Sequence, residues 1–431
     1  MSADLEKSTL RKVSLRIIPF IMLLYFMVFV DRVNIGFASL TMNKDLGLSP
    51  AVFGFGAGIF FWGYFLFEIP SNIALHRFGA RLWIARIMVS WGILAAIESQ
   101  IQGPTSFYVV RFLLGAAEAG FFPGVILYLS YWFPARQRAA AVSFFMASAP
   151  LSTALGSPLA SAILGLNGLL GFAGWQWLFL LEAIPAVLLG LVALVTMTDR
   201  PEQAKWLAED ERAWLVSTMN AERAGKAATE TRSVWRALAD PRVLGLALVY
   251  FGTSSGLYTL GIWAPQIIKS FGMSNFEVGF LNTLPPTAAV VCMYLWSRHS
   301  DRTNERTWHV IIACLAAAVG LILAGLSTTV VAVVAALVLV NVGITAAKPP
   351  LWSMPTMYLS GPAAAAGLAA INSIGNLGGF AGPAMIGWIK SLTGSFAGGL
   401  YFVCGLLIVS AAVTFLVSRT VVRPSTILNP V

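Results

Sequence analysis

Charge is scarce in this chain. Asp, Glu, Lys and Arg make up 11% of its 431 residues, 58% are hydrophobic, and the mean hydropathy is +0.77. No soluble domain buries that share of apolar side chains, so a bilayer must act as part of the solvent. Cysteine is nearly absent: Cys292, Cys314 and Cys404 fall within apolar runs with no metal-ligand spacing, and no disulfide framework exists. Histidine is limited to His76, His299 and His309, all flanking runs at one membrane face, so a buried histidine relay is excluded. No nucleophile–base pair, metal cluster or nucleotide loop is legible, which argues against an enzyme and against a metal or organic cofactor.

What the chain has is apolar runs, recurring roughly every 30 residues, long enough to cross a bilayer. Twelve are legible, at 17–38, 51–75, 82–100, 105–132, 139–165, 176–197, 243–268, 276–298, 308–326, 329–358, 363–390 and 396–418. They are continuous rather than alternating, which predicts helices and not a barrel. The expected fold class is an all-α membrane protein with twelve transmembrane helices in two pseudo-symmetric six-helix bundles. Residues 1–198 form the first bundle, 199–242 a cytoplasmic central loop with an amphipathic helix, and 243–431 the second bundle. Residues 1–16 read as a short charged tail. No small-residue cleavage site follows the first run, so it is expected to be a retained helix.

The net charge of +9 is a topology signal rather than a nucleic-acid signal. Of the 28 Lys and Arg, Arg32, Arg111 and Lys348 fall deep within runs. Lys44, Lys269 and Lys390 lie at one face and the remainder at the other, which by the positive-inside rule puts both termini and the central loop in the cytoplasm.

The most informative stretch is RFLLGAAEAGFFPGVILYLSYWFP, from Arg111 to Pro134. Arg111 and Glu118 lie two helical turns apart, about 10 Å, on one face, with Gly115 leaving a gap between them. An ionisable group in hydrocarbon costs at least ~2.5–3.5 kcal/mol, so two in one span suggest an anion site beside a protonatable carboxylate. The plainer alternative is a salt bridge that only joins helices. Asp31 and Arg32, in FVDRVNIGF, point about 100° apart and should serve different neighbours. Tyr64 and Glu68 share a face of the second run, Glu68 reading as a structural partner for arginines.

An internal repeat is visible at an offset of 225. The basic loops NIALHRFGAR and SRHSDRTNER correspond, as do Pro158 and Pro383, and Arg77, Arg81, Asp301 and Arg302 are candidate gating residues. Repeats of this kind build transporters around a midplane site. At the same offset Asp31, Arg32, Arg111 and Glu118 meet Gly256, Leu257, Ala336 and Gly343, so intramembrane charge belongs to the first half. The second half offers Tyr258, Trp263, Gln266, Trp352, Asn372 and Asn376 for hydroxyl recognition. Lys348 reads equally as a site residue or a snorkelling lysine. Glycine and proline in APLSTALGSP and NSIGNLGGFAGP predict bent helices, and Trp206, Leu207, Trp214, Leu215 and Met219 predict a helix lying on the bundle or on the membrane.

These features together resemble the major facilitator superfamily. VDRVNIGF, EIPSN, RFLLGAAEAGFFPG, YWFPARQRAAA, WQWLFLLEAIPAVLLG, SRHSDRTNER and INSIGNLGGFAGP resemble its anion:cation symporter family, in particular the tartrate, phthalate, 4-hydroxyphenylacetate and sugar-acid type carriers. The resemblance covers nearly the whole chain. It implies that Asp31 and Glu118 are proton-coupling groups, that Arg32 and Arg111 hold or gate a substrate carboxylate, and that Tyr64, Trp352 and Asn372 complete the pocket. His76 replaces the usual acid of the first basic loop, which weakens that half's latch relative to Asp301, and Lys348 matches no general family role.

The expected function is proton-coupled symport of a small organic anion, a hydroxy or sugar acid or an aromatic carboxylate, by alternating access. The partners are that anion, H⁺ and the lipid bilayer, with no nucleic acid. The expected localisation is the bacterial inner membrane, as a monomer. An anion exchanger or facilitator with the same pocket, and a sensor that binds without transporting, are the alternatives.

Overall fold

The computed structural model describes residues 3–227, 240–355 and 361–421. The described residues are helical, with no strand among them. Among the described residues eleven helical stretches, three of them made of two successive helices, are long and apolar enough to cross a membrane. The remaining run expected at 363–390 falls on two shorter helices divided at Leu377. Two units divide the chain, Met1–Glu230 with Gly261–Thr283, and Thr231–Leu260 with Leu284–Val431.

In the first unit α1 is Ala3–Asp45, α2 Pro50–Phe78, α3 Ala80–Glu98, α4 Pro104–Glu118, α5 Phe121–Trp132, α6 Ala135–Met146, α7 Ser148–Leu164, α8 Gly174–Thr196 and α9 Glu209–Ala227. The charged tail expected at 1–16 is instead the start of α1. Thr9, Val13 and Ile17, spaced four apart, are buried on one face, so the charges occupy only the opposite side. The central segment docks here too. Leu207, Trp214, Leu215 and Met219 are buried, which puts their face on the bundle and not on lipid. Glu211 receives hydrogen bonds from Lys12 at 2.9 Å and Ser8 at 2.9 Å, and Arg138 pairs with Glu222 at 2.7 Å. Residues 228–239 of the expected loop lie outside the described residues.

Backbone-to-backbone contact positions α4. Gly63 of α2 faces the Phe112 carbonyl, and Gly115 of α4 faces the Phe60 carbonyl, at separations only glycine permits. The gap expected at Gly115 is therefore filled by the neighbouring helix. A Gly115→Leu substitution drives a side chain into backbone that cannot rotate away, and overpacking of this kind costs ~1–3 kcal/mol or more. The yield of monodisperse protein on size exclusion should collapse, whereas Gly405→Ala, with open space around it, should leave yield unchanged. A normal Gly115→Leu peak would refute the packing. Beyond Glu118 the helix breaks at Gly120, which takes φ 85°. Pro123 has no N–H to give the Ala119 carbonyl, which leaves that carbonyl without its helical bond at the break.

In the second unit α10 is Pro241–Lys269 up to Leu260, its remainder and α11 (Asn275–Leu281) belonging to the first. Then follow α12 Leu284–Thr303, α13 Thr307–Leu326, α14 Val330–Ser353, α15 Gly361–Asn376, α16 Gly378–Thr393 and α17 Ala397–Val421. Val243, Leu246, Val310, Cys314, Ala347 and Leu351 centre its core. The eleventh run is interrupted at Leu377, inside NSIGNLGGFAGP as expected, where Gly378 packs on the Phe251 carbonyl and Ser255 donates to the Gly378 carbonyl at 3.0 Å. In the fifth run the interruption is at Ala147, before APLSTALGSP, which lies unbroken in α7.

Candidate functional site

The first unit gathers Asp31, Arg32, Tyr64, Arg111 and Glu118 in its interior. Arg32, on α1, donates through Nε to Glu118 Oε1 of α4 at 2.8 Å, and its Nη2 also reaches that oxygen. Glu118 is fully buried, and its second oxygen has no partner among the described residues. The Arg32 guanidinium lies 5.3 Å from the Tyr64 ring and 5.5 Å from the Phe60 ring. Arg111 lies 5.1 Å from the same Phe60 ring, so both guanidinium groups converge on one aromatic face. Asp31, one residue before Arg32, turns the other way and accepts a 3.1 Å hydrogen bond from Trp91 of α3. The 100° separation of adjacent helical residues accounts for the two directions.

Arg111 pairs with an acid that the sequence does not single out. Its Nη1 donates to Glu98 Oε1 at 3.2 Å, and its Nη2 to the Ala57 carbonyl at 3.4 Å. Glu118 belongs to Arg32 and not to Arg111. The helix wheel places Arg111 and Glu118 on one face, but each then meets a different neighbour, α3 at one level and α1 at the other. Glu98 closes α3 and reads in the sequence as a span end, which concealed it. Glu182 of α8, also buried, appears in the WQWLFLLEAIP stretch and was given no role.

The first basic loop also has a partner that the sequence reading lacked. The Arg81 backbone N–H donates to Asp199 at 2.8 Å, and its guanidinium lies 3.8 Å from the same carboxylate. Asp199, just beyond α8, is an acidic partner of this loop. Arg77 rests over the Phe78 ring at 5.6 Å. In the second basic loop Asp301 pairs with Arg306 at 2.6 Å, while Arg302 is exposed.

Trp263 and Gln266 fall in the first unit, Trp263 edge-on to Phe53 at 5.2 Å and Gln266 donating to Ser39 at 2.8 Å. In the second unit Trp352 packs edge-to-face on Tyr250 at 5.0 Å, and Tyr258 is 9% exposed. Asn372 and Asn376 are half-buried on α15, Asn376 at its end. Lys348 is half-buried and forms no hydrogen bond or ion pair among the described residues. At the positions repeating Asp31 and Glu118, Gly256 packs on Ile344 and Gly343 on Ala313 and Ala317. The second unit thus has helix contacts where the first has charges.

The chain is similar to known proteins. The model of the family described as Major Facilitator Superfamily matches residues 21–383. An Agrobacterium vitis protein named "Putative tartrate transporter" is 67% identical over 420 residues, 97% of each chain. An Acinetobacter baumannii protein named "Quinolone resistance transporter" is 40% identical over 424 residues, 98% of each. The crystal structure of a bacterial homologue of the human lysosomal transporter Spinster overlays with a TM-score of 0.79 at 17% identity, covering 96% of this chain and 99% of that one, a likeness of fold.

Proposed function

Because the chain belongs to the major facilitator superfamily, and is a multi-pass membrane transporter rather than an enzyme, we propose that it couples protons to the uptake of a small organic anion of the tartrate class. The observation that carries this reading is the buried Arg32–Glu118 pair, whose second carboxylate oxygen is unpartnered among the described residues. A substrate carboxylate competes for Arg32 and leaves Glu118 without its counter-charge. A proton on Glu118 removes that conflict, so proton and anion favour each other's binding, and the coupling is reciprocal. Each carboxylate carried inward against a negative interior costs ~2.3 kcal/mol per 100 mV unless a proton goes with it. Arg111 is the second anchor, suited to the other carboxylate of a diacid. Asp31 is a candidate for a second proton.

Tyr64, Tyr258, Lys348, Trp352, Asn372 and Asn376 are assigned to substrate contact. Arg77, Arg81, Asp301 and Arg302 are assigned to the loops that gate alternating access by bundles 1–198 and 243–431. The protein would work as a monomer in a bacterial inner membrane. The 67% identity to a protein named for tartrate supports the substrate class. The test is tartrate flux in proteoliposomes. Accumulation driven by an imposed pH gradient is expected; counterflow without any driven accumulation would favour an exchanger. Driven efflux would reverse the direction.

Topology has its own check. With both termini cytoplasmic, a single cysteine replacing Gly225 should resist an impermeant maleimide in intact cells, and cysteines replacing Lys44, Lys269 or Lys390 should react. Labelling of Gly225→Cys from outside would overturn this orientation.

A further inference from the structure

Glu182 is a buried acid that this coupling scheme leaves unused. It is 5% exposed, and neither carboxylate oxygen has a hydrogen-bond partner among the described residues. A tight seam between α3 and α8 sets its position. Gly92 lies against the Ala183 carbonyl, within 3.1 Å of where its Cβ would be, and Gly190 lies within 3.0 Å of the Val89 nitrogen in the same sense. Those two contacts make the helices antiparallel and bring Glu182 toward the Glu98 end of α3. Glu182 interacts electrostatically with Asp31 and with Glu98.

The charged groups around it are few. From α1 comes Asp31, from α3 comes Glu98, and α7, the third helix packed on α8, carries no titratable residue. Glu182 is also the only titratable group of α8. The two arginines that act on Asp31 are already engaged, Arg32 by Glu118 and Arg111 by Glu98. Asp31 at least holds the Trp91 N–H; Glu182 holds nothing. Independently, Asn34, one turn along α1 from Asp31, is 1% exposed with neither amide atom partnered among the described residues. A charged carboxylate without cation or donor is not tolerated in such a place. A proton neutralises such a carboxylate without needing any further ligand from the protein.

We propose that Glu182 is a proton-binding site of the first unit, holding a proton at neutral pH. Only H⁺ is gained or lost at this carboxyl, and no electron or other group moves with it. This inference deepens the proton-coupled reading and rests on it for its role in transport.

The test uses substrate-free protein, so its outcome is read apart from any transport result. Infrared difference spectra of the full-length protein in a lipid film are recorded between neutral and alkaline pH. A protonated-carboxyl C=O band that shifts in D₂O is expected in the wild type. Glu182→Gln should lose it, Glu118→Gln should keep it, and Glu182→Asp should keep it at a shifted frequency. A wild type without the band, or a band unchanged in Glu182→Gln, overturns the proposal. Should Glu182→Gln fail to fold, an unshifted band in Glu182→Asp overturns it equally.

Discussion

Glu118→Gln should abolish the share of tartrate accumulation that the pH gradient drives through this residue, while leaving exchange intact. With the membrane potential clamped at zero, one pH unit is worth about 1.4 kcal/mol, or about tenfold accumulation, for each coupled proton. The variant should therefore lose about a factor of ten, reaching no accumulation if Glu118 is the only coupled site. Exchange should persist because glutamine keeps the Oε1 acceptor that Arg32 Nε reaches at 2.8 Å. The amide nitrogen replaces Oε2, which has no donor among the described residues to repel it. Glutamine thus imitates the neutral, protonated site in shape. Tartrate counterflow at equal pH, in the same vesicles, is the control. Equal loss of counterflow and driven uptake would make Glu118 structural, and wild-type accumulation would remove it from the coupling mechanism. Asp31→Asn belongs in the same experiment, where a second lost factor of ten would count a second proton.

Much of this was legible in the residues. Apolar run length located the helices, because a spanning helix has no other way to satisfy its backbone. Arg32, Arg111, Glu118 and Asp31 stood out because charge in a spanning segment is costly. Pairing was not legible. Periodicity reports which residues share a face of one helix, whereas a pair across helices depends on how the neighbour is rotated and how far it slides. Arg111 therefore fell to Glu98 and Arg32 to Glu118. Gly115 shows the same limit, since a glycine reads as a gap until the Phe60 carbonyl is seen in it. Glu98 and Asp199 sit where runs end, and there an acid reads as an ordinary solvated boundary.

Arg111 tests whether the second ion pair serves substrate or only architecture. Removing one partner of a buried pair typically costs 3–5 kcal/mol, so Arg111→Met alone should lose folded protein together with transport. That result would not separate the two roles. The double variant Arg111→Met with Glu98→Gln does, because replacing both members of a buried pair by neutral groups of similar size is often close to neutral for stability. Folded yield and unfolding temperature should return to near wild type. Tartrate uptake should remain absent, since the guanidinium that grips the carboxylate is still missing. Arg111→Lys sharpens the point: two separate nitrogens of Arg111 now reach Glu98 Oε1 and the Ala57 carbonyl, a fork a single ammonium cannot reproduce. With one charge-assisted hydrogen bond worth ~1.5–3 kcal/mol, the lysine variant should take up tartrate at least about tenfold more slowly at sub-saturating concentration. Restored uptake in the double variant would mean that Arg111 and Glu98 only hold α3 to α4, and the anion site would then rest on Arg32 alone.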